Sequence, residues 1–86
     1  MPKSAFTPPH KAFAALLRDA RRKAGVTQVE LARRLGRAQS LVSAIERGIR
    51  RVDVVEFAAL ARALDLDPVA LFEIIAKKLP TRLDVF

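Results

Sequence analysis

The chain has no cysteine, one histidine and only three glycines in 86 residues. Without cysteine it cannot form a disulfide, hold an iron–sulfur cluster or use a thiol as a nucleophile. The single histidine, His10, follows Pro8 and Pro9 and leaves no basis for a histidine-based metal site or a Ser-His-Asp triad. The acidic residues do not replace that chemistry. Asp19, Asp65, Asp67 and Glu73 read as helix caps and surface charges, and no two carboxylates are spaced to converge as an acid/base pair. Gly25, Gly36 and Gly48 stand apart from one another, so there is no glycine-rich loop to cradle a phosphate. No apolar run approaches the roughly 20 residues of a membrane span. The opening MPKSAFTPPH lacks the hydrophobic stretch of a signal peptide. These absences predict a soluble, cytoplasmic protein that is not an enzyme and needs no cofactor or metal.

What is present is arginine, unevenly placed. Sixteen Lys and Arg against nine Asp and Glu give a net charge of +7. Ten of the sixteen lie between residues 18 and 51, alongside only three of the nine acids, whereas residues 52–86 are net acidic. Such a polarised excess points to a polyanionic partner, of which nucleic acid is the usual one. At 86 residues the chain is a single small domain, and 51% apolar residues suffice for one core.

Hydrophobic spacing and punctuation predict five short helices and an all-α bundle. Residues 1–9, with three prolines, read as a flexible arm. From His10 to Ala24, Phe13, Leu16, Leu17, Ala20 and Ala24 recur at helical spacing, and Gly25 closes the helix. Thr27 and Glu30 form the pattern of a capping box opening a second helix to about Leu35. Gly36 punctuates, and a third helix is expected over about 39–47, stopped by Gly48. Asp53 and Glu56 make a second capping-box pattern, before a fourth helix whose apolar face is Val54, Phe57, Ala58, Ala61 and Leu64. Asp67 and Pro68 start a fifth helix that runs to about Leu79. Residues 80–86 form a tail in which Leu83 and Val85 alternate with Arg82 and Asp84, the one strand-like pattern in the chain.

The second and third helices carry the function. Two helices crossing at about 90–120° need a small residue at the contact, which Ala32 supplies, and Gly36 suits the tight turn between them. Val42 and Ile45 place one face of the third helix against Leu31, Leu35 and the first helix. The same wheel sends Gln39, Ser40, Ser43, Ala44 and Arg47 outward together. A helix held by one face and offering short polar residues on the other can enter a major groove.

The stretch from Leu17 to Phe72, with TQVELARRLGRAQSLVSAIERG at its centre, resembles the Cro/C1-type helix-turn-helix family of bacterial and phage regulators, also called the XRE family. The resemblance implies a five-helix, lambda-repressor-like DNA-binding domain over 10–79. It implies that Gln39 and Ser40 touch base edges and that Ser43 and Ala44 face the groove one turn later. Gln28 then lies beside a phosphate and braces the start of the recognition helix. Arg37, Arg47, Arg50 and Arg51 suit phosphates, and Arg21 pairs with Glu46 inside the domain. A glutamine can bond adenine bidentately, and Ala44 can contact only something like a thymine methyl. At the Ala44 position many relatives carry a longer polar residue.

One recognition helix reads about four base pairs, too few to specify a genomic site. A homodimer on a palindromic operator, with its helices about 34 Å apart, is therefore expected. The regulator is expected to be a repressor. Phe72, Ile75, Leu79, Leu83, Val85 and Phe86 are the expected interface, since the fifth helix and tail carry more apolar residues than one core face can use. The same surplus fits a second possibility, an antitoxin or other interaction module that binds a partner protein through its C-terminal third.

Overall fold

The computed structural model describes residues 7–86, in which five α-helices and no strand are found. They are α1 (Pro8–Lys23), α2 (Gln28–Leu35), α3 (Gln39–Glu46), α4 (Val54–Ala63) and α5 (Pro68–Lys78). The expected arm over 1–9 falls mostly outside the described residues, and Pro8 and Pro9 belong to α1. Their fixed φ suits the first helical turn, so the helix starts two residues before the apolar spacing does.

The caps are largely as the spacing predicts. Asp53 and Glu56 form the complete reciprocal box, and the Asp67 carboxylate accepts the Ala70 N–H. At α2 only half of the box exists: Thr27 Oγ1 accepts the Glu30 N–H, while the Glu30 carboxylate turns to Arg33 and Arg34 one turn on. Guanidinium donors are the stronger partners for a carboxylate.

Four helices end on a left-handed residue, with the two backbone hydrogen bonds of a Schellman turn. Three of these residues are glycines and the fourth is Asp65, at φ 58°. Aspartate tolerates this conformation better than most residues, so the chain turns between α4 and α5 without a glycine to announce it.

α3 packs on α1 and α2, α4 on α2 and α5, and α5 closes back on α1. The shared core includes Leu17, Leu31, Val42, Ile45, Ala61 and Ile75. Phe57 links the two sides, with its ring centroid 5.9 Å from both Phe13 and Phe72. One expectation needs correction. Val54, expected on the buried face of α4, is 85% exposed, and Leu60 takes its place in the core beside Phe57, Ala61 and Leu64. Val54 opens the helix, where no neighbouring element reaches it. The tail forms no strand, because an alternating segment without a strand to pair with gains nothing from extension.

Candidate nucleic-acid interface

α3 is held along one face and open along the other. Val42 and Ile45 are buried in the core, while Gln39 and Ser40 are exposed and Ser43 and Ala44 half-buried. The position before the helix is Ala38, whose side chain cannot cap, and the first turn contains no acid. The helix N-terminus therefore keeps its uncompensated partial positive charge on the open side.

A chain of hydrogen bonds runs from α1 to the first residue of α3. Arg21 meets Glu46 bidentately, Nε to Oε2 at 2.6 Å and Nη2 to Oε1 at 2.9 Å, with side chains only 8% and 5% exposed. Arg21 also donates from Nη1 to the Val26 carbonyl at 2.8 Å, tying in the loop before α2. Gln28 Nε2 donates to Glu46 Oε1 at 3.0 Å, and Gln39 Nε2 donates to Gln28 Oε1 at 3.0 Å. The direction of this chain is dictated by its anion. An ionised Glu46 only accepts, so Gln28 must offer it the amide nitrogen, and its oxygen is then left for the Gln39 nitrogen. Gln39 is thereby oriented with its carbonyl oxygen and one N–H still unclaimed by the chain.

Burial is the largest single influence on the Glu46 carboxyl and pushes its pKa up. Hydrogen bonds from Arg21 and Gln28 and the charges of Arg21 and Arg18 together outweigh it and hold the group below the ordinary carboxylate value. On the Arg21 guanidinium the Glu46 hydrogen bond dominates and raises the pKa against the effect of burial. Arg18 is a contributor that helical spacing alone did not reveal. It lies close enough to act on Glu46 through its charge, and its Nε is buried without a hydrogen-bond partner among the described residues.

The arginines around α3 differ in how far they are committed. Arg37, in the turn, and Arg47, at the end of α3, are exposed, and among the described residues each makes only one long bond of 3.4 Å to a nearby carbonyl. Arg51 is also exposed. Arg50 is different: it grips Glu56 bidentately at 3.0 and 2.7 Å and donates to the Arg51 carbonyl at 2.6 Å. The Arg50 hydrogen bonds and the Asp53 N–H lower the Glu56 pKa to about 2. Arg50 was expected at a phosphate, yet it fastens the loop after α3 to the cap of α4. Arg34 donates to the Ala63 carbonyl at 2.8 Å and so caps the end of α4. It also pairs with Glu30 at i,i+4, and no spacing in the sequence announces the bond to α4, 29 residues away.

The residues expected at a dimer contact are also divided. Ile75 is 1% exposed and belongs to the core, because α5 turns that side toward α1 and α4. Leu79 is half-buried against the core. Phe72 is 52% exposed, Leu83 and Phe86 are exposed, and Val85 is half-buried.

Comparison with known proteins agrees with this geometry. A family model described as a helix-turn-helix domain matches residues 12–73. No curated protein sequence matches the chain. Among solved structures, an XRE-family like protein from Pseudomonas syringae pv. tomato is 46% identical, with a TM-score of 0.74 over 84% of this chain and 88% of its own. The restriction-modification controller protein C.AhdI from Aeromonas hydrophila is 42% identical, with a TM-score of 0.63 over 70% of this chain and 87% of its own. The clp gene regulator ClgR from C. glutamicum is 26% identical, with a TM-score of 0.75 over 88% and 99%. With one face of α3 buried, the other open and Gln39 held in place from behind, the chain belongs to the XRE family of helix-turn-helix DNA-binding regulators.

Proposed function

We propose that the protein is a sequence-specific transcriptional repressor that binds a palindromic operator as a homodimer. α3 enters the major groove, where Gln39 and Ser40 meet base edges and Ser43 and Ala44 follow one turn later. Gln28, Arg37, Arg47 and Arg51 lie toward the phosphates on either side. The observation that carries this reading is the Arg21–Glu46–Gln28–Gln39 chain. It holds a fixed amide at the exposed start of α3, and the oxygen and N–H that remain match N6 and N7 of adenine. Unburied Phe72 and Phe86, with Leu83, supply apolar surface for the second copy.

The test is selection of bound sequences from random DNA, followed by Gln39→Ala and Arg47→Ala on the selected site. Gln39→Ala is expected to cost about 1–3 kcal/mol on the preferred operator and almost nothing on non-specific DNA, with discrimination lost at one position in each half-site. Arg47→Ala is expected to weaken all sequences alike. An equal, uniform drop for both variants would remove Gln39 from base readout and leave specificity to Ser40, Ser43 or DNA shape.

A further inference from the structure

On the flank of α5 away from Phe72, an apolar groove of about 220 Å³ lies between α1 and α5. Its α1 wall is Leu16, Ala20 and Ala24, spaced by four and so aligned along one side of the helix. The spacing reads as a core stripe, yet two of the three are alanines, and Ala24 is exposed. Leu66, Leu71, Ile74 and Ile75 form the other wall, and Ile74 remains 54% exposed. Each helix adds a lysine, Lys23 from α1 and Lys78 from α5, and α1 also adds Asp19. Both lysines are exposed, and neither makes an ion pair among the described residues, whereas neighbouring Lys77 is paired with Glu73.

We propose that this groove binds a small apolar carboxylate, a straight-chain or aryl acid of about six to eight carbons. The volume sets the size. An apolar cavity of about 150 Å³ holds a benzene ring, so 220 Å³ suits a body somewhat larger than that, less than a drug-sized pocket contains. The walls set the polarity, because apolar side chains gain by excluding water and offer no hydrogen bond to a polar body. The rim sets the charge. Two unpaired cations against one carboxylate leave a net +1, which favours a monoanion and disfavours an amine. The groove does not involve α3 or the exposed side of Phe72, so the inference goes beyond the regulator reading and stands without it.

Octanoate is titrated into the full chain, and the methyl resonances of Ala20, Ala24, Leu71 and Ile74 are followed by NMR. Saturable shifts confined to these methyls are expected. Affinity should rise about fourfold per methylene from hexanoate and level off once the groove is full. Octanol and octylamine should bind more weakly. Lys23→Gln and Lys78→Gln, both at exposed positions, should each weaken octanoate about two- to five-fold, as for a solvent-exposed ion pair. Ala20→Leu, which fills the groove with an apolar side chain, should abolish the shifts while the remaining spectrum stays dispersed. Absence of saturation, equal binding of octylamine, or shifts centred on Phe72 and Phe86 would overturn the proposal. So would movement of the Ile74 methyl with protein concentration instead of octanoate, which would make the groove a face between copies.

Discussion

Glu46 is the residue on which the domain's polar interior turns. It lies at the end of α3, receives Arg21 from α1 and Gln28 from α2, and through Gln28 sets the direction of Gln39. Removing one partner of a buried pair leaves the other charge uncompensated, at about 3–5 kcal/mol, whereas an exposed pair is worth less than about 1 kcal/mol. Glu46→Ala is therefore expected to lower the melting temperature sharply, and a loss near zero in thermal unfolding would place the pair in solvent. The pH dependence follows from the lowered folded-state pKa. The stabilisation from this carboxylate is complete above its unfolded value near 4.5 and is lost as pH falls through the depressed folded value, readable by unfolding at a series of acid pH values. Gly36 acts through its backbone instead. A Cβ there meets nothing within 4 Å, but φ is 67°, so the requirement is conformational and not one of space. Gly36→Ala is expected to cost about 1–2 kcal/mol, and Gly36→Asn less, in chemical denaturation; equal costs would show that the left-handed backbone is not the reason for the glycine.

At the scale of elements, Arg37 and Arg47 beside α3 differ from Arg50 in how firmly they are held. Arg37 and Arg47 have little to give up on meeting a phosphate, while Arg50 would first have to leave a bidentate carboxylate. If the protein binds DNA as a dimer with about 6–10 phosphate contacts, affinity should fall about 10³–10⁵-fold between 50 and 200 mM salt. Arg47→Ala should reduce the salt slope by about 1 per contact removed, and Arg50→Ala should leave the slope nearly unchanged. A slope that drops as much for Arg50→Ala as for Arg47→Ala would show that DNA displaces Glu56. Helical spacing and caps had located α3 to within a residue. They carried no information on which arginine was already occupied, because Glu56 belongs to the next helix and its carboxylate serves two donors at once.

At the scale of the molecule, the proposed two-fold assembly would draw on what α5 and the tail leave uncovered. Phe72 packs edge-on against Phe57 and still exposes half of its surface, and Phe86 is fully exposed. Phe72→Asp and Phe86→Asp together are expected to convert a dimer to monomer in sedimentation and to weaken operator binding much more than binding of a single half-site. An unchanged dimer would place the interface elsewhere, for instance at Val54, Val55 or Val69, which are more exposed than Phe72. Substituting Ile75 is not a test of assembly, since a polar group there would be buried in the core.

The amino-acid sequence alone determined the five helices, most of their caps and the pairing of α2 with α3. These depend on interactions within a few residues: apolar positions three and four apart, a side-chain oxygen at an N-cap, a glycine that turns left. The turn after α4 escaped that local reading because Asp65 adopts a glycine's conformation. Tertiary structure decided which apolar residues were covered and which charges were free. Ile75 and Ile74 are adjacent and chemically alike, but one is 1% exposed in the core and the other 54% exposed at the edge of the α1–α5 groove. Arg34 found a carbonyl 29 residues away, and Arg50 found the cap of the next helix. Such choices follow from the angles at which helices pack, and those angles are set by the whole core at once rather than by any stretch of chain.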